Sequence, residues 1–464
     1  MSFDLRLLSL KSNTVNTPLR HRTWTLFLAL LAVSVLLRLL RLDMSFWMDE
    51  IITVTEFVRK PWLKIITEVP YPNNHIFYTL LAKLSVSIFG EHEWSARLPA
   101  MVMGAFIPPV AFLVFRRKFP EFAAFAAGLF LALNFWSLWF SQDARGYSGM
   151  LLFGMLGTYF GLEYLERGGK RPALLFLLCQ TLCVWFYLYG FFLVAGQMLR
   201  AIYVIARKKS SPAKFIPLFL AAFLGIALYL PGLKDLWHYS SAQTKMAAMH
   251  RLDLIFLKDT LMMLAGARLQ IIGLVVVTLG LAGALRAARN WPGFFAVSLT
   301  AAAGIILFTW LSGLFIYSRF LIFLMPAAAI SVGSFLELPG RKWIQHSLLA
   351  LMCILLLPGL FGYYRLGKED FKNAAYHLKQ LPAQKIICYG IICRELGYYY
   401  PAPMTEVAEK TALEPEFIRD TFIISRQVDW TAHNLAIARE RCRAEKTWPS
   451  AGYKENRLWL LRCD

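Results

Sequence analysis

Two adjacent carboxylates, Asp49 and Glu50, follow Phe46-Trp47-Met48 just beyond the first long apolar stretch of the chain. A carboxylate at a membrane edge is costly unless it stays wet or has a task. The task that suits it is general-base catalysis, taking a proton from a hydroxyl or an amine. The alternative is a solvated loop that orients the preceding helix. Farther on, PYPNNHIFYTLL at 70–81 gathers Tyr71, Asn73, Asn74, His75 and Tyr78 where an apolar helix begins. These are donors and acceptors suited to sugars and phosphates. SQDARGYSGM at 141–150 sets Asp143, Arg145 and Tyr147 together between two apolar stretches, and IYSRFLIFLMP at 316–326 repeats the pattern with Tyr317 and Arg319. An arginine at a membrane surface either snorkels to the interface or grips an anion with its planar fork. If the two arginine-bearing ends converge, they make an anion site at the mouth of a lipid-accessible groove. A polyisoprenyl phosphate, anionic at the head and apolar in the tail, has the matching chemistry. No Cys or His pair has the spacing of a tight zinc site; a loose divalent site using Asp49 and His75 remains open, and no other cofactor is required.

The elements that must position these residues are membrane helices. Of the 464 residues, 58% are hydrophobic and only 17% charged, against about 25% charged in soluble domains; the mean hydropathy is +0.50. Apolar stretches long enough to cross a hydrocarbon core recur along the chain. The spans expected are 24–42, 98–115, 121–140, 147–165, 172–189, 190–206, 214–231, 269–286, 292–311, 319–336 and 343–361. The two at 172–206 share a turn at Tyr187-Leu188-Tyr189-Gly190. No segment alternates with period two, so a transmembrane barrel is not supported. The net charge of +20 does not signify nucleic-acid binding. The basic residues cluster between apolar stretches, as at Arg116-Arg117-Lys118 and Arg207-Lys208-Lys209, which is the pattern of cytoplasmic loops. With the N-terminus inside as a signal anchor, all the clusters fall on that side and the C-terminal residues lie outside. The segment 74–90 then lies at the outer interface or is partly re-entrant, within a first external loop at 43–97. A second external loop is expected at 232–268, its methionines suited to contact with lipid or apolar surface.

From 365 to 464 the composition changes to that of a small external α/β domain. EDFKNAAYHLKQL reads as an amphipathic helix with Phe371, Ala374, Ala375 and Leu378 on one face. KIICYG, TFIISR and RLWLLRC read as strands, and TAHNLAIARERCRAE as a helix opened by a threonine cap. Four cysteines lie here, and an exported domain of this size uses them as disulfides. Three pairings are possible. Cys388–Cys393 and Cys442–Cys463 are preferred because each closes a local loop; the alternative is buried free thiols.

Four stretches in order, FWMDE at 46–50, NNHIFYTLLAKLSVSIFGEHEWSARLPAMVMG at 73–104, SQDARGYSGML at 141–151 and YSRFLIFLMP at 317–326, resemble the GT-C glycosyltransferases, in particular the glycosyltransferase family 39 or dolichyl-phosphate-mannose protein mannosyltransferase-like group, to which the bacterial aminoarabinose transferases of lipid A are related. The resemblance implies a GT-C fold with a seven-helix conserved module and interfacial helices in the first loop; with the apolar stretches above, it makes the chain a polytopic α-helical membrane module over 1–364, of about 11 transmembrane helices, with the external α/β domain at 365–464. It implies a polyprenyl-phosphate-linked hexose or pentose as donor and a lipid, glycan or protein as acceptor. It makes Asp49 the catalytic base and Glu50 the second acid of the motif. Arg145 and Arg319, with Tyr147 and Tyr317, would lie at the donor phosphate. Asn73, Asn74, His75, Tyr78 and Arg97 are substrate-binding candidates, although relatives carry a His-Pro-Pro-like turn where this chain has Asn74-His75-Ile76. The short loops suit a bacterial inner membrane. Other readings are a transporter or flippase for lipid-linked sugars, a polymerase or ligase acting on the same class of lipid, and a non-enzymatic assembly factor.

Overall fold

The computed structural model describes residues 17–463 apart from 71–72, 209–210, 243–251, 382–384, 409–410, 427–428 and 452–456; Tyr71 lies outside the described residues. Helix α1 (Thr17–Leu39) is followed by a long connection. It holds α2 (Met48–Thr53), which continues into a π-helical turn at Val54–Val58, then α3 (Trp62–Thr67) and α4 (Ile76–Phe89). Next come α5 (Glu93–Phe115), α6 (Glu121–Leu133), α7 (Phe135–Ser141), α8 (Tyr147–Arg167), α9 (Lys170–Phe186), α10 (Phe191–Lys208), α11 (Ile216–Ala227), α12 (Leu233–Ala242), α13 (Leu254–Ala265), α14 (Gln270–Asn290) and α15 (Pro292–Ser312). A 3-10 segment at Ser318–Leu324 leads into α16 (Met325–Leu336), and α17 (Lys342–Leu366) is the last long helix.

Every expected span falls on one of these helices or on a bent pair of them. Among the described residues, seven helices are long and apolar enough to cross a membrane, and two pairs bent by 59° and 49° raise the number to nine. The protein is thus a multi-pass membrane protein. Helices α8 and α9 lie outside that set and pack along each other. Helix α4, with 14 residues, rises only about 21 Å and cannot span the core. The turn expected near 187–190 is a 3-10 turn at Leu188–Gly190.

The bend between α6 and α7 is built by Asn134. Its side chain caps α7 by accepting from the Ser137 N–H, and Gly266 packs so closely against it that a Cβ there would strike the amide. The buried Arg38 of α1 secures the bend, donating to the hydroxyls of Ser141 (3.0 Å) and Ser137 (3.1 Å) and to the Ser34 carbonyl. An arginine inside the bundle survives only where its donors are filled, and here two serines on one face of α7 fill them.

The segment 232–268, expected as an external loop, contains helices. Where described, it forms α12 and α13, the latter capped by Asp253 through the Phe256 N–H and ended by Gly266 at φ 67; 243–251 lie outside the described residues. Thr260, Met263 and Ala265 are buried on one side of α13, so helical spacing supplies the apolar face that the composition suggested.

Beyond α17 the chain forms α18 (Phe371–Leu378), β1 (Lys385–Tyr389), α19 (Cys393–Tyr399), β2 (Thr405–Val407), α20 (Pro415–Ile418), β3 (Thr421–Arg426), α21 (Ala432–Arg441), β4 (Cys442–Trp448) and β5 (Leu458–Cys463). The sheet order is β2-β1-β3-β5-β4, with β1, β2 and β3 parallel and β5 antiparallel to both β3 and β4. The buried face of α18 is Phe371, Ala374, Ala375 and Leu378, and Thr431 caps α21. That helix stops at Arg441, where a single helix through 445 was expected. Cys442 instead opens an edge strand opposite Cys463, and ladder pairing overrides the local helical pattern. The sulfurs join Cys388 to Cys393 and Cys442 to Cys463.

Small residues let the membrane helices touch through backbone. At Gly283 of α14 an added Cβ would collide with the Ser331 carbonyl of α16, whereas at Gly280 it would meet only Val332 Cγ2 at 3.6 Å. Gly283→Leu is therefore expected to cost about 1–3 kcal/mol of stability. Thermal unfolding in detergent should show a lowered midpoint for Gly283→Leu and little change for Gly280→Leu.

Candidate active site

The site is assembled around a carboxylate that does not face solvent. Glu50 and Arg97 are both fully buried. Arg97 Nε and Nη2 donate to Glu50 Oε1 and Oε2 at 2.7 and 2.6 Å, and its remaining donors reach the carbonyls of Leu42 (2.9 Å), Met44 (2.6 Å) and Ser45 (2.9 Å). Glu50 also accepts from the backbone N–H groups of Trp47 (3.2 Å) and Ala144 (2.7 Å), and Lys368 Nζ lies 3.4 Å from it. Burial alone would raise the Glu50 carboxyl, but Arg97, Lys368 and these hydrogen bonds override it and hold it below its ordinary value. Glu50 is thus not placed as the second catalytic acid expected from the motif, because every oxygen is committed to protein donors. Nor does Arg97 reach a substrate surface. The two clamp the end of α1, the start of α2, α5 and the turn before α8.

Consecutive helical residues point about 100° apart, so with Glu50 inward Asp49 faces a different set of partners. Its Oδ2 lies 3.0 Å from Arg145 Nη1 and 3.6 Å from Arg319 Nη2, and Asn73 Nδ2 donates to Oδ1 at 3.2 Å. Asp49 keeps 14% of its side chain exposed, Arg319 16% and Arg145 4%. The structure therefore brings Asp49, Asn73, Arg145 and Arg319 together from four separate segments. Arg319 stacks over Tyr317 at 4.1 Å and Arg145 lies 5.5 Å from the Tyr147 ring.

His75 supports this cluster from beneath. Its Nδ1 faces the Gly146 N–H at 2.8 Å, and its Nε2 lies 3.0 Å from Arg145 Nη2. The imidazole stacks on Tyr187 at 4.6 Å. Burial, and then the charges of Arg145 and Arg319, hold its pKa well below the ordinary value, so the ring is neutral. His75 Nδ1 is taken up by the Gly146 N–H, and its Nε2 faces the Arg145 guanidinium. Among the described residues no cluster of three or more His, Cys, Asp or Glu could hold a metal ion. Gly146 is required here, since a Cβ would strike the Phe186 carbonyl and lie 2.9 Å from His75 Nδ1.

Two substrate-binding candidates have other duties. The Tyr78 hydroxyl is fully buried and donates to the Ala96 carbonyl at 2.7 Å, fastening α4 to α5. Asn74 donates to the Ile65 carbonyl and accepts from Thr79, which fixes the turn before α4.

Lys368 and Glu369 were not singled out from the sequence, and Asp143 was grouped there with Arg145 and Tyr147 without a role of its own. Asp143 is fully buried, accepts from the Trp47 indole N–H at 2.7 Å and pairs with Lys368 at 3.3 Å. The Trp47 side chain thus serves Asp143. Burial lifts the Asp143 carboxyl above its ordinary value and depresses the Lys368 ammonium. Lys368 and Glu369 carry the signature that marked Asp49 and Glu50, a charged pair where an apolar helix ends. Tyr187, Tyr189 and Phe320 complete an aromatic wall, the last two with ring centres 4.3 Å apart.

The likeness to known proteins agrees with this architecture. Residues 73–234 match the family model of dolichyl-phosphate-mannose-protein mannosyltransferase. The crystal structure of ArnT from Cupriavidus metallidurans bound to undecaprenyl phosphate is similar with a TM-score of 0.56 at 13% identity, covering 96% of this chain and 98% of that one. The apo structure of the same enzyme gives 0.58 at 14% identity, covering 95% and 98%. No curated protein matches the sequence. The chain has the GT-C fold, with a small C-terminal sheet domain.

Removing Arg97 would leave Glu50 buried without its main counter-ion, at a cost of about 3–5 kcal/mol. Arg97→Ala is expected to yield little folded protein. Arg97→Lys, which cannot fill the fork, should fold with a lowered thermal midpoint, as read by unfolding in detergent.

Proposed function

We propose that this protein is a membrane glycosyltransferase that moves a sugar from a polyprenyl-phosphate donor to an acceptor hydroxyl or amine on the external face, with Asp49 as general base. The main support is the Asp49–Arg145–Arg319 cluster: one carboxylate with an open edge, held by two arginines from distant parts of the chain. The GT-C fold agrees, and the similar ArnT structure holds undecaprenyl phosphate. The membrane module, residues 1–364, carries the chemistry, and residues 365–464 lie on the same outer side.

In this reading the donor phosphate enters between Arg145 and Arg319 and takes up part of the guanidinium charge now facing Asp49. Two arginine forks suit a phosphate because their donors match its oxygens. Asp49 removes the proton of the acceptor as the nucleophile attacks the anomeric carbon. A bond forms between the acceptor heteroatom and that carbon, the carbon–oxygen bond to phosphate breaks, and polyprenyl phosphate leaves with the electron pair. Arg145 and Arg319 stabilise the charge that grows on the leaving group. A single displacement inverts the anomeric centre. Neutral His75 and the tyrosines behind it add no charge to the site and keep Arg145 aimed.

The test is a panel of radiolabelled polyprenyl-phosphate sugars supplied to purified protein with lipid extract as acceptor. Asp49→Asn is expected to lower label transfer by about 10²–10⁴-fold, the range for loss of a positioned base, while the thermal midpoint stays near that of the wild type. Arg319→Ala should weaken donor binding as well as turnover. Full transfer by a folded Asp49→Asn protein would overturn the reading; donor carried across liposomes without sugar transfer would point to a transporter instead.

A further inference from the structure

Two backbone N–H groups immediately before Asp49 are not satisfied by the membrane helices. Phe46 N–H donates to the Tyr399 hydroxyl at 2.9 Å, and Met48 N–H donates to Glu369 Oε2 at 3.0 Å. Tyr399 closes α19 and Glu369 lies on the link between α17 and α18. Arg426, the last residue of β3, reaches Met48 Sδ at 3.6 Å and Glu369 Oε1 at 3.7 Å, and is itself held by Asp429 at 2.9 Å. Glu369 and Asp429 are almost fully buried. The chain leaves β1 toward β2 on one side and returns to β3 on the other, so the carboxyl ends of β1 and β3 flank a topological switch point. Ligands of open α/β sheets bind at such a crevice. Here the Met48 end of α2 is seated against it.

We propose that Glu369 is the positioning residue through which the C-terminal domain holds Asp49 in place, gripping the first turn of α2 at the Met48 N–H with Arg426 as its support. This rests on the proposed role of Asp49. The assignment makes the sheet domain part of the catalytic unit. Transfer then requires the domain to be docked, and a disturbance at β1–β3 reaches the base through one carboxylate.

The buried Glu369 carboxyl is itself perturbed. Burial pushes the Glu369 carboxyl up to about 7, against the pull of Arg426 and the Met48 N–H; Asp49 of α2 and Glu395 of α19 push it the same way as burial. Asp429 reaches Glu369 only through Arg426. The folded value lies above the unfolded value of about 4.3. Burial of the protonated carboxyl therefore contributes stability to the fold that is fully present below about pH 4 and is lost as pH rises through about 7, whereas the Met48 N–H and Arg426 favour the ionised form, so the grip itself does not loosen over that range.

Hydrogen–deuterium exchange of residues 46–53 in the full-length protein in detergent, corrected for intrinsic exchange, tests this without any assay of transfer. Wild-type protection should hold between about pH 5 and 7, because the ionised carboxylate still accepts from Met48. Glu369→Gln, which stays neutral and keeps an acceptor for Met48, should hold its protection at both ends. Glu369→Ala should exchange about tenfold or more faster throughout, as expected for loss of a buried hydrogen bond. In the transfer assay Glu369→Ala should lower kcat at unchanged donor KM, and Glu369→Gln should restore it at pH 6. Wild-type protection in Glu369→Ala would overturn the proposal. Loss of protection in Glu369→Ala without any transfer by wild type would leave the grip standing and reject the transferase reading.

Discussion

The architecture around Asp49 depends on one buried ion pair. Taking Glu50 and Arg97 out of water costs several kcal/mol per ion, and the structure meets that cost only because both Glu50 oxygens and the donors of Arg97 are filled. The partners come from the end of α1, the N-terminus of α2, α5, the turn before α8 and the segment after α17. Two membrane helices and three connections thus share one bidentate contact, and none can shift without exposing an unpaired charge in a dry interior.

From that constraint the outer geometry follows. With Glu50 locked inward, helical spacing turns Asp49 toward Arg145 and Arg319. The backbone of Ala144, bound to Glu50, sets the turn that aims Arg145. His75 and Tyr147 limit where its guanidinium can lie. In the proposed reaction a phosphate arriving there would meet cations already held in position, leaving little reorganisation for the moment of transfer. The second buried group, Asp143 with Lys368 and Trp47, carries the lock across to the C-terminal segment.

Much of this was legible in the sequence. Long apolar stretches place the membrane helices because a bilayer core demands about 20 apolar residues, and the amphipathic spacing of Phe371, Ala374, Ala375 and Leu378 marks the face that α18 buries. Asp49, Arg145 and Arg319 stood out because charge at the end of an apolar helix has few bland explanations. Glu50 stood out for the same reason, Asn74 and Tyr78 as hydrogen-bonding groups suited to a sugar, and Arg97 through the resemblance, yet all four have their polar atoms committed within the protein. Polarity at a membrane edge marks a residue that needs a partner, and a buried partner looks the same as a substrate when only residue types are visible.

By itself, then, the sequence determined a polytopic helical protein with a small α/β appendage and a set of polar residues collected at helix ends, because hydrophobic length and periodicity are local properties of the chain. Only the tertiary structure decided which of two adjacent acids is open and which is locked. It also decided that Asn73, Arg145 and Arg319 meet at Asp49, and that Glu369 and Arg426 grip the helix bearing it. Those relations join residues far apart in the chain, and they rest on burial and hydrogen-bond satisfaction, which no local pattern encodes.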